Sequence, residues 1–156
     1  MDVAATDPDT QQAQWNAERR VQVLEYLDRA RLIRGDVGDF PAWQIYPYVS
    51  VWAVESHRAP GLVGWWVICG DCPTDYVTAR GDGSPRTAVR DIAAQWQAAV
   101  PYLARGEQHP DFALGRSEDA RTLAPLLSAR AEALLRLADE DDLWPDTPPA
   151  APPPAP

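Results

Sequence analysis

The residue pattern that comes nearest to chemistry is Cys69-Gly70-Asp71-Cys72, a CxxC. In redox proteins this spacing opens a helix, whose N-terminus lowers one thiol pKa. Here it follows an apolar strand-like run and precedes Pro73, with no βαβ pattern around it. One CxxC also supplies only two of the four ligands of a structural zinc, and neither His57 nor His109 stands at zinc spacing. The pattern is therefore read as a strand-ending Cys69 and a turn residue Cys72, with no cofactor and no metal. Two carboxylate sets come next. Glu55 lies beside His57, while Asp71 and Asp75 are close enough in sequence to share a site as paired acids. Local turn bonding is the simpler role for Asp71 and Asp75, since short Asp side chains bond nearby backbone well. No GxSxG elbow surrounds Ser50 or Ser56, and Gly81-Asp82-Gly83 lacks the lysine of a phosphate loop.

A third set is aromatic. Trp43, Tyr46, Tyr48, Trp52, Trp65 and Trp66 crowd a short stretch of a chain that holds 7 Trp in 156 residues. Core packing is their default role, but one small sheet buries only so many indoles, and Trp is enriched at binding hot spots. The candidate binding residues are accordingly Trp43, Trp52, Glu55, Trp66, Asp71, Asp75 and Tyr76, and no residue is assigned as catalytic.

The elements that would position these residues can be read from periodicity. A first helix, capped by Asp9 or Thr10, runs to about Leu32 or Ile33, with Val21, Leu24, Leu27 and Ala30 at helical spacing. Arg34 to Pro47 reads as an aromatic loop that folds back on the domain. Tyr48 to Ser56 and Leu62 to Cys69 are rich in β-branched and aromatic residues on both faces. They make a hairpin covered on both sides, the centre of a sheet. Asp75 to Ala79 supplies a third, edge strand. Ser84-Pro85 opens a second helix, with Val89, Ile92, Trp96, Val100 and Leu103 as its stripe and Pro101 kinking or ending it. Arg86 and Arg90 on this helix read as a solvated face. A third helical region, capped by Ser117 to Asp119 and split by Pro125, carries Leu126, Leu127, Arg130, Leu134, Leu137 and Ala138 and ends near Ala138, before a run of acids unfavourable at a helix C-terminus. Trp144 is expected to dock.

The fold class expected is α+β, a small antiparallel sheet built on the central hairpin and packed against three helices. Residues 1–9 are expected to be a disordered N-terminus, residues 10–144 a single α+β domain, and residues 145–156 a disordered Pro-rich tail, since they hold seven of the 16 prolines.

Three segments carry a resemblance: Pro41-Ala42-Trp43, then Pro47 to Ser56 (PYVSVWAVES), then Val63 to Asp71 (VGWWVICGD) with Pro73 to Val77 (PTDYV). Together, from about Trp15 to Trp144, they are similar to a family of small bacterial proteins classed only as a domain of unknown function. The resemblance implies no activity, cofactor or catalytic residue.

Composition narrows the partners. All 14 basic residues are Arg against 23 acids, a net charge of −9, which repels phosphate backbones and argues against nucleic acid while favouring a basic protein partner. No apolar run approaches the roughly 18 residues of a membrane span, and the acidic start lacks the basic and apolar regions of a signal peptide, so a cytoplasmic setting is expected. The functional expectation is a non-enzymatic bacterial cytosolic protein-interaction module, an adaptor or an inhibitor of a basic partner. The competing expectation is a small enzyme or small-ligand-binding protein using the Asp71–Tyr76 connection beside the aromatic sheet. Oligomeric state is left open.

Overall fold

A proline at the first helical position sets where the chain starts to coil. In the computed structural model, Pro8 stands at that position behind Asp7, and helix α1 runs Pro8–Ala30. The helix thus begins before the Asp9 or Thr10 cap read from sequence, and residues 8–9 are helical rather than frayed. It ends at Arg31, which takes a left-handed conformation (φ 55°) that lets its N–H and that of Leu32 reach back to Asp28 and Leu27. The structure describes residues 7–80 and 83–144. The expected frayed start over 1–6, the Pro-rich tail from 145 onward, and Gly81-Asp82 lie outside them. The described backbone divides into two compact units, one up to Thr78 and the other from Ala79 on.

The first unit is α1 and a four-stranded antiparallel sheet in the order β1-β2-β3-β4. Its centre is the expected hairpin, β2 (Val49–Glu55) against β3 (Val63–Gly70), with Val51 opposite Ile68 and Trp52 opposite Val67. β4 (Asp75–Thr78) adds the expected third strand on the β3 edge. On the β2 edge the structure corrects the loop reading: Trp43–Ile45 is a strand, β1, paired Trp43 to Val51 and Ile45 to Val49. The segment before it also follows β2, through Gly35 N–H to Glu55 O (2.9 Å), Glu55 N–H to Asp36 O (2.9 Å) and Gly38 N–H to Ala53 O (3.0 Å). Two glycines, two prolines and an extended backbone without alternation hide this pairing from pattern reading.

The two faces of the hairpin are both buried. On one, Trp52, Val54, Val67 and Cys69 meet Val23 and Leu27 of α1, with Val37, Leu24, Tyr26, Trp65 and Tyr76 around them. On the other, Val49, Val51, Trp66 and Ile68 are buried as well. The buried stripe of α1 is Val23 and Leu27, whereas Val21, expected inside, is exposed. Burial of Val23 and Leu27 against Trp52, Val54 and Val67, at about 1.5–3 kcal/mol for each large apolar side chain, is the main force holding α1 to the sheet.

The second unit is a helix pair. Ser84 caps α2 (Pro85–Ala104), accepting from Thr87 N–H at 3.1 Å. Its buried stripe is Ala88, Val89, Ile92, Ala93, Trp96, Ala99 and Leu103. Val100, one residue out of phase, is only half-buried. A 3₁₀ turn, Ser117–Asp119, leads into α3 (Ala120–Asp139), and the two helices pack on each other. Neither Pro101 nor Pro125 breaks its helix. Each sits at an exposed position, as do Gln97 and Arg121 four residues before, so the carbonyl each proline frees can be hydrated. The buried stripe of α3 is Ala120, Ala124, Leu127, Ala131, Leu134 and Ala138, while Leu126 is exposed. The alanines let the helices approach closely.

The end of α3 explains two residues read as a solvated face. Arg86 donates from Nε to Ala138 O (2.7 Å) and from its terminal nitrogen to Asp141 Oδ1 (2.6 Å), and Arg90 reaches the same carbonyl at 3.3 Å. Two cations from α2 thus cap the negative end of α3, which carries the acids Asp139 to Asp142. Trp144 docks as expected, its indole N–H on Leu137 O at 3.0 Å.

Candidate functional site

The strand register decides which candidates can act together. Val49 pairs with Gly70 and Glu55 with Val63. The Asp71–Tyr76 connection and Glu55 therefore stand at opposite ends of the hairpin, six residues or roughly 20 Å apart at strand spacing. The seven candidates do not form one site.

At the connection end the side chains tie the loop down. Gly70 adopts φ 129°, and a Cβ there would collide with the Tyr48 carbonyl, to which Asp71 N–H donates at 2.7 Å. The Asp71 side chain is exposed. Gln22 Nε2 on α1 donates to Thr74 Oγ1 at 2.7 Å. Asp75 is buried, its Oδ1 accepting Tyr76 N–H at 2.9 Å and Tyr26 O–H at 3.3 Å. Tyr26 and Tyr76 meet edge to face, centroids 6.1 Å apart. Burial, and then the neighbouring Asp75 carboxylate, push the Tyr26 phenol above its usual range. Asp75 is thereby anchored to α1 and satisfies the Tyr76 N–H at the start of the edge strand.

In the middle, Gln44, Ser50 and Cys69 form one row across β1, β2 and β3. The buried Ser50 Oγ accepts Trp52 Nε1–H at 2.9 Å and lies 3.4 Å from Cys69 Sγ. Trp52 is fully buried, so it is core rather than contact surface. Burial pushes the Cys69 thiol up, against weaker opposing effects from Ser50 and Arg19, which makes it a poor nucleophile. Cys69 and Cys72 are free thiols. Among the described residues no group of three or more His, Cys, Asp or Glu is arranged to hold a metal ion. His57 is exposed near the hairpin tip, and His109 stacks on Phe112 in the second unit at 4.0 Å. Trp66 is buried on the face away from α1, and Trp43 is half-buried on β1.

At the hairpin-tip end the chain leaves polar and apolar groups in the open. A cleft of about 310 Å³ is lined by Asp36, Asp39, Glu55, Leu62 and Val63 with the backbone of Gly38 and Gly61. Leu62 is 64% exposed and Val63 37%. Arg20 holds Asp39 at 3.9 Å. Among the described residues the carboxylates of Asp36 and Glu55 have no hydrogen-bond or ion-pair partner. Glu55 lies across Gly35, where a Cβ would come within 2.8 Å of its Oε1. A neighbouring groove of about 300 Å³ shares Asp39 and adds Phe40, itself 77% exposed, against Asp9 and Asn16 of α1. Of this cluster sequence reasoning found Glu55 alone. Asp36 and Asp39 reach it only because the Gly35–Gly38 backbone pairs with β2. The available signal was the GDVGD repeat of glycine and acid at residues 35–39.

No helix of the described residues is long and apolar enough to cross a membrane. No curated protein and no solved structure matches the chain. A family model does match, described as Domain of unknown function (DUF4826) and covering residues 9–144, which takes in the hairpin, the connection and the tip cleft alike, and the chain belongs to that family.

Proposed function

We propose that this protein is a non-enzymatic protein-interaction module of the cytoplasm, an adaptor or inhibitor whose partner is basic. The observation that carries the reading is the hairpin-tip end of the sheet, where the unpartnered carboxylates of Asp36 and Glu55 adjoin the exposed Leu62 and Val63. Carboxylates without partners inside the fold gain most from a cation supplied from outside, and exposed aliphatic side chains beside them add area to bury. The net charge of −9 steers a basic partner toward the protein and speeds encounter. Two free cysteines fit a reducing compartment. The competing reading, a small-ligand site at Asp71–Tyr76, has less support, because Asp75 is already engaged by Tyr26 and by the Tyr76 backbone.

The test is capture of the tagged full chain from its own host, followed by native mass spectrometry. The expected result is a stoichiometric complex with a protein of high pI that dissociates as salt rises from about 0.15 M to 1 M, where the Debye length falls from about 8 to 3 Å. Recovery of the free chain alone, or of a complex with an acidic partner insensitive to salt, rejects the reading.

A further inference from the structure

We infer that the hairpin-tip cleft takes an extended segment of the partner in which one Arg or Lys is flanked by an aliphatic residue. The inference rests on the interaction reading above and adds the surface and the chemistry of its occupant.

The cleft sorts its lining by type. Asp36 and Glu55 supply the acids, joined through their backbones by the Glu55 N–H to Asp36 O bond. Leu62 and Val63, where the hairpin turn enters β3, supply the apolar wall. A volume of about 310 Å³ admits side chains of a segment, at the low end of the roughly 300–1,000 Å³ of ligand clefts. A guanidinium suits the acids best, because its planar fork bonds a carboxylate with two parallel N–H groups and is more weakly hydrated than an ammonium. Asp39, ion-paired with Arg20 at 3.9 Å, stands exposed at the rim, and Arg20 itself is tied to the Val37 and Gly38 carbonyls at 3.0 Å.

Charge selects against the other occupants. A second copy of this chain carries −9 and is repelled, as are nucleic acid and an anionic membrane surface. Gly35 keeps the arrangement available, since any side chain there would displace the Glu55 carboxylate.

The experiment is an amide chemical-shift titration of the ¹⁵N-labelled full chain with two capped pentapeptides, Gly-Leu-Arg-Val-Gly and Gly-Leu-Glu-Val-Gly. The Arg peptide is expected to shift residues 35–39, Glu55 and residues 61–63 and to leave the Asp71–Tyr76 connection unmoved, and the Glu peptide to shift none of them. The doubly neutralised variant Asp36→Asn, Glu55→Gln, checked for folding by its unchanged remaining spectrum, is expected to weaken the Arg peptide about tenfold, the loss of two exposed ion pairs. No shifts at millimolar peptide, equal shifts from both peptides, shifts centred elsewhere, or unchanged binding by the variant each overturn the inference. Host capture repeated with that variant separates the two claims. A basic partner retained equally by variant and parent rejects this cleft while the interaction reading stands, and no partner for either rejects both.

Discussion

Replacing Arg86 by Ala should destabilise the helical unit through one identifiable set of contacts. The Arg86 side chain is 21% exposed, and its Nε donates to the Ala138 carbonyl in the last turn of α3 at 2.7 Å. Losing a charge-assisted hydrogen bond at a mostly buried site costs about 1.5–3 kcal/mol. A cation at a helix C-terminus contributes about 0.3–1 kcal/mol more, and the acids that follow α3 place it at the high end. The Asp141 contact is short at 2.6 Å, but Asp141 is 88% exposed, so solvent screening holds it to about 0–0.5 kcal/mol. Against these losses, Arg90 already reaches the same carbonyl at 3.3 Å and takes over part of the role. The net expectation is a loss of about 2 kcal/mol, which for a chain of this size lowers Tm by roughly 4–8 °C. Arg86→Lys should recover about half, because an ammonium keeps the charge without the fork that serves carbonyl and carboxylate together. Urea unfolding followed by far-ultraviolet circular dichroism and by Trp fluorescence measures the change. A double-mutant cycle with Asp141→Asn should return a coupling below about 0.5 kcal/mol. An Arg86→Ala variant within about 0.5 kcal/mol of the parent, or an Asp141→Asn variant as destabilised as Arg86→Ala, would refute the assignment of the stabilisation to the α3 carbonyl.

Three further outcomes are expected. Ser50→Ala leaves the buried Trp52 indole N–H without its acceptor and should cost about 1–3 kcal/mol in urea unfolding, whereas a neutral result would mean that Ser50 is not its partner. Tyr26 is held neutral in the fold, so its stabilisation is fully present below the unfolded phenol pKa of about 10 and is lost as pH rises beyond it. Parent stability should fall more steeply above pH about 10 than that of Tyr26→Phe, and parallel curves would exclude the linkage. With a chromogenic disulfide reagent, the half-buried Cys72 should react in the native state and Cys69 only on unfolding, so that Cys72→Ser removes the fast phase; a fast phase persisting in that variant would contradict the burial of Cys69.

What was legible in the sequence was whatever rests on local pattern with two-sided burial. The Val49–Glu55 and Val63–Gly70 strands carry apolar residues on both faces, and such a hairpin has no alternative but the middle of a sheet. Ser84-Pro85 and the docking of Trp144 were equally plain, since each rests on a single strong local preference. The failures share a different cause. β1 is three residues long beside Pro41 and Pro47, and its strand character comes from pairing with β2 rather than from its own side chains. Pro125 does not split α3, because the cost of a helical proline depends on whether the freed carbonyl meets water, which depends on the face, and α3 places it outside. The caps on α3 from Arg86 and Arg90 are separated from it by about fifty residues, beyond the reach of any local rule.

The two ends of the sheet are finished differently, and that difference bears on function more than any motif. At the Asp71–Tyr76 end Asp75 serves α1 and its own strand, Gln22 holds Thr74, and the tyrosines pack on one another; stability alone accounts for each of these side chains. At the hairpin tip it accounts for few. Asp36 and Glu55 stand near each other without partners, and Leu62 and Val63 face solvent when a turn would tolerate polar residues as well. A nearby cation, Arg20, donates to the Val37 and Gly38 carbonyls at 3.0 Å and lies 3.9 Å from Asp39, leaving Asp36 and Glu55 to solvent. Departures from local consistency are where function is expected to lie, and in the first unit the tip is one of them, beside the buried Asn16 Oδ1, Arg19 Nε, Gln44 Oε1 and Trp66 Nε1, which have no hydrogen-bond partner among the described residues. It follows that neutralising Asp36 and Glu55 should leave stability unchanged or raised while weakening the partner, in contrast to Arg86→Ala and Ser50→Ala, which should destabilise the fold.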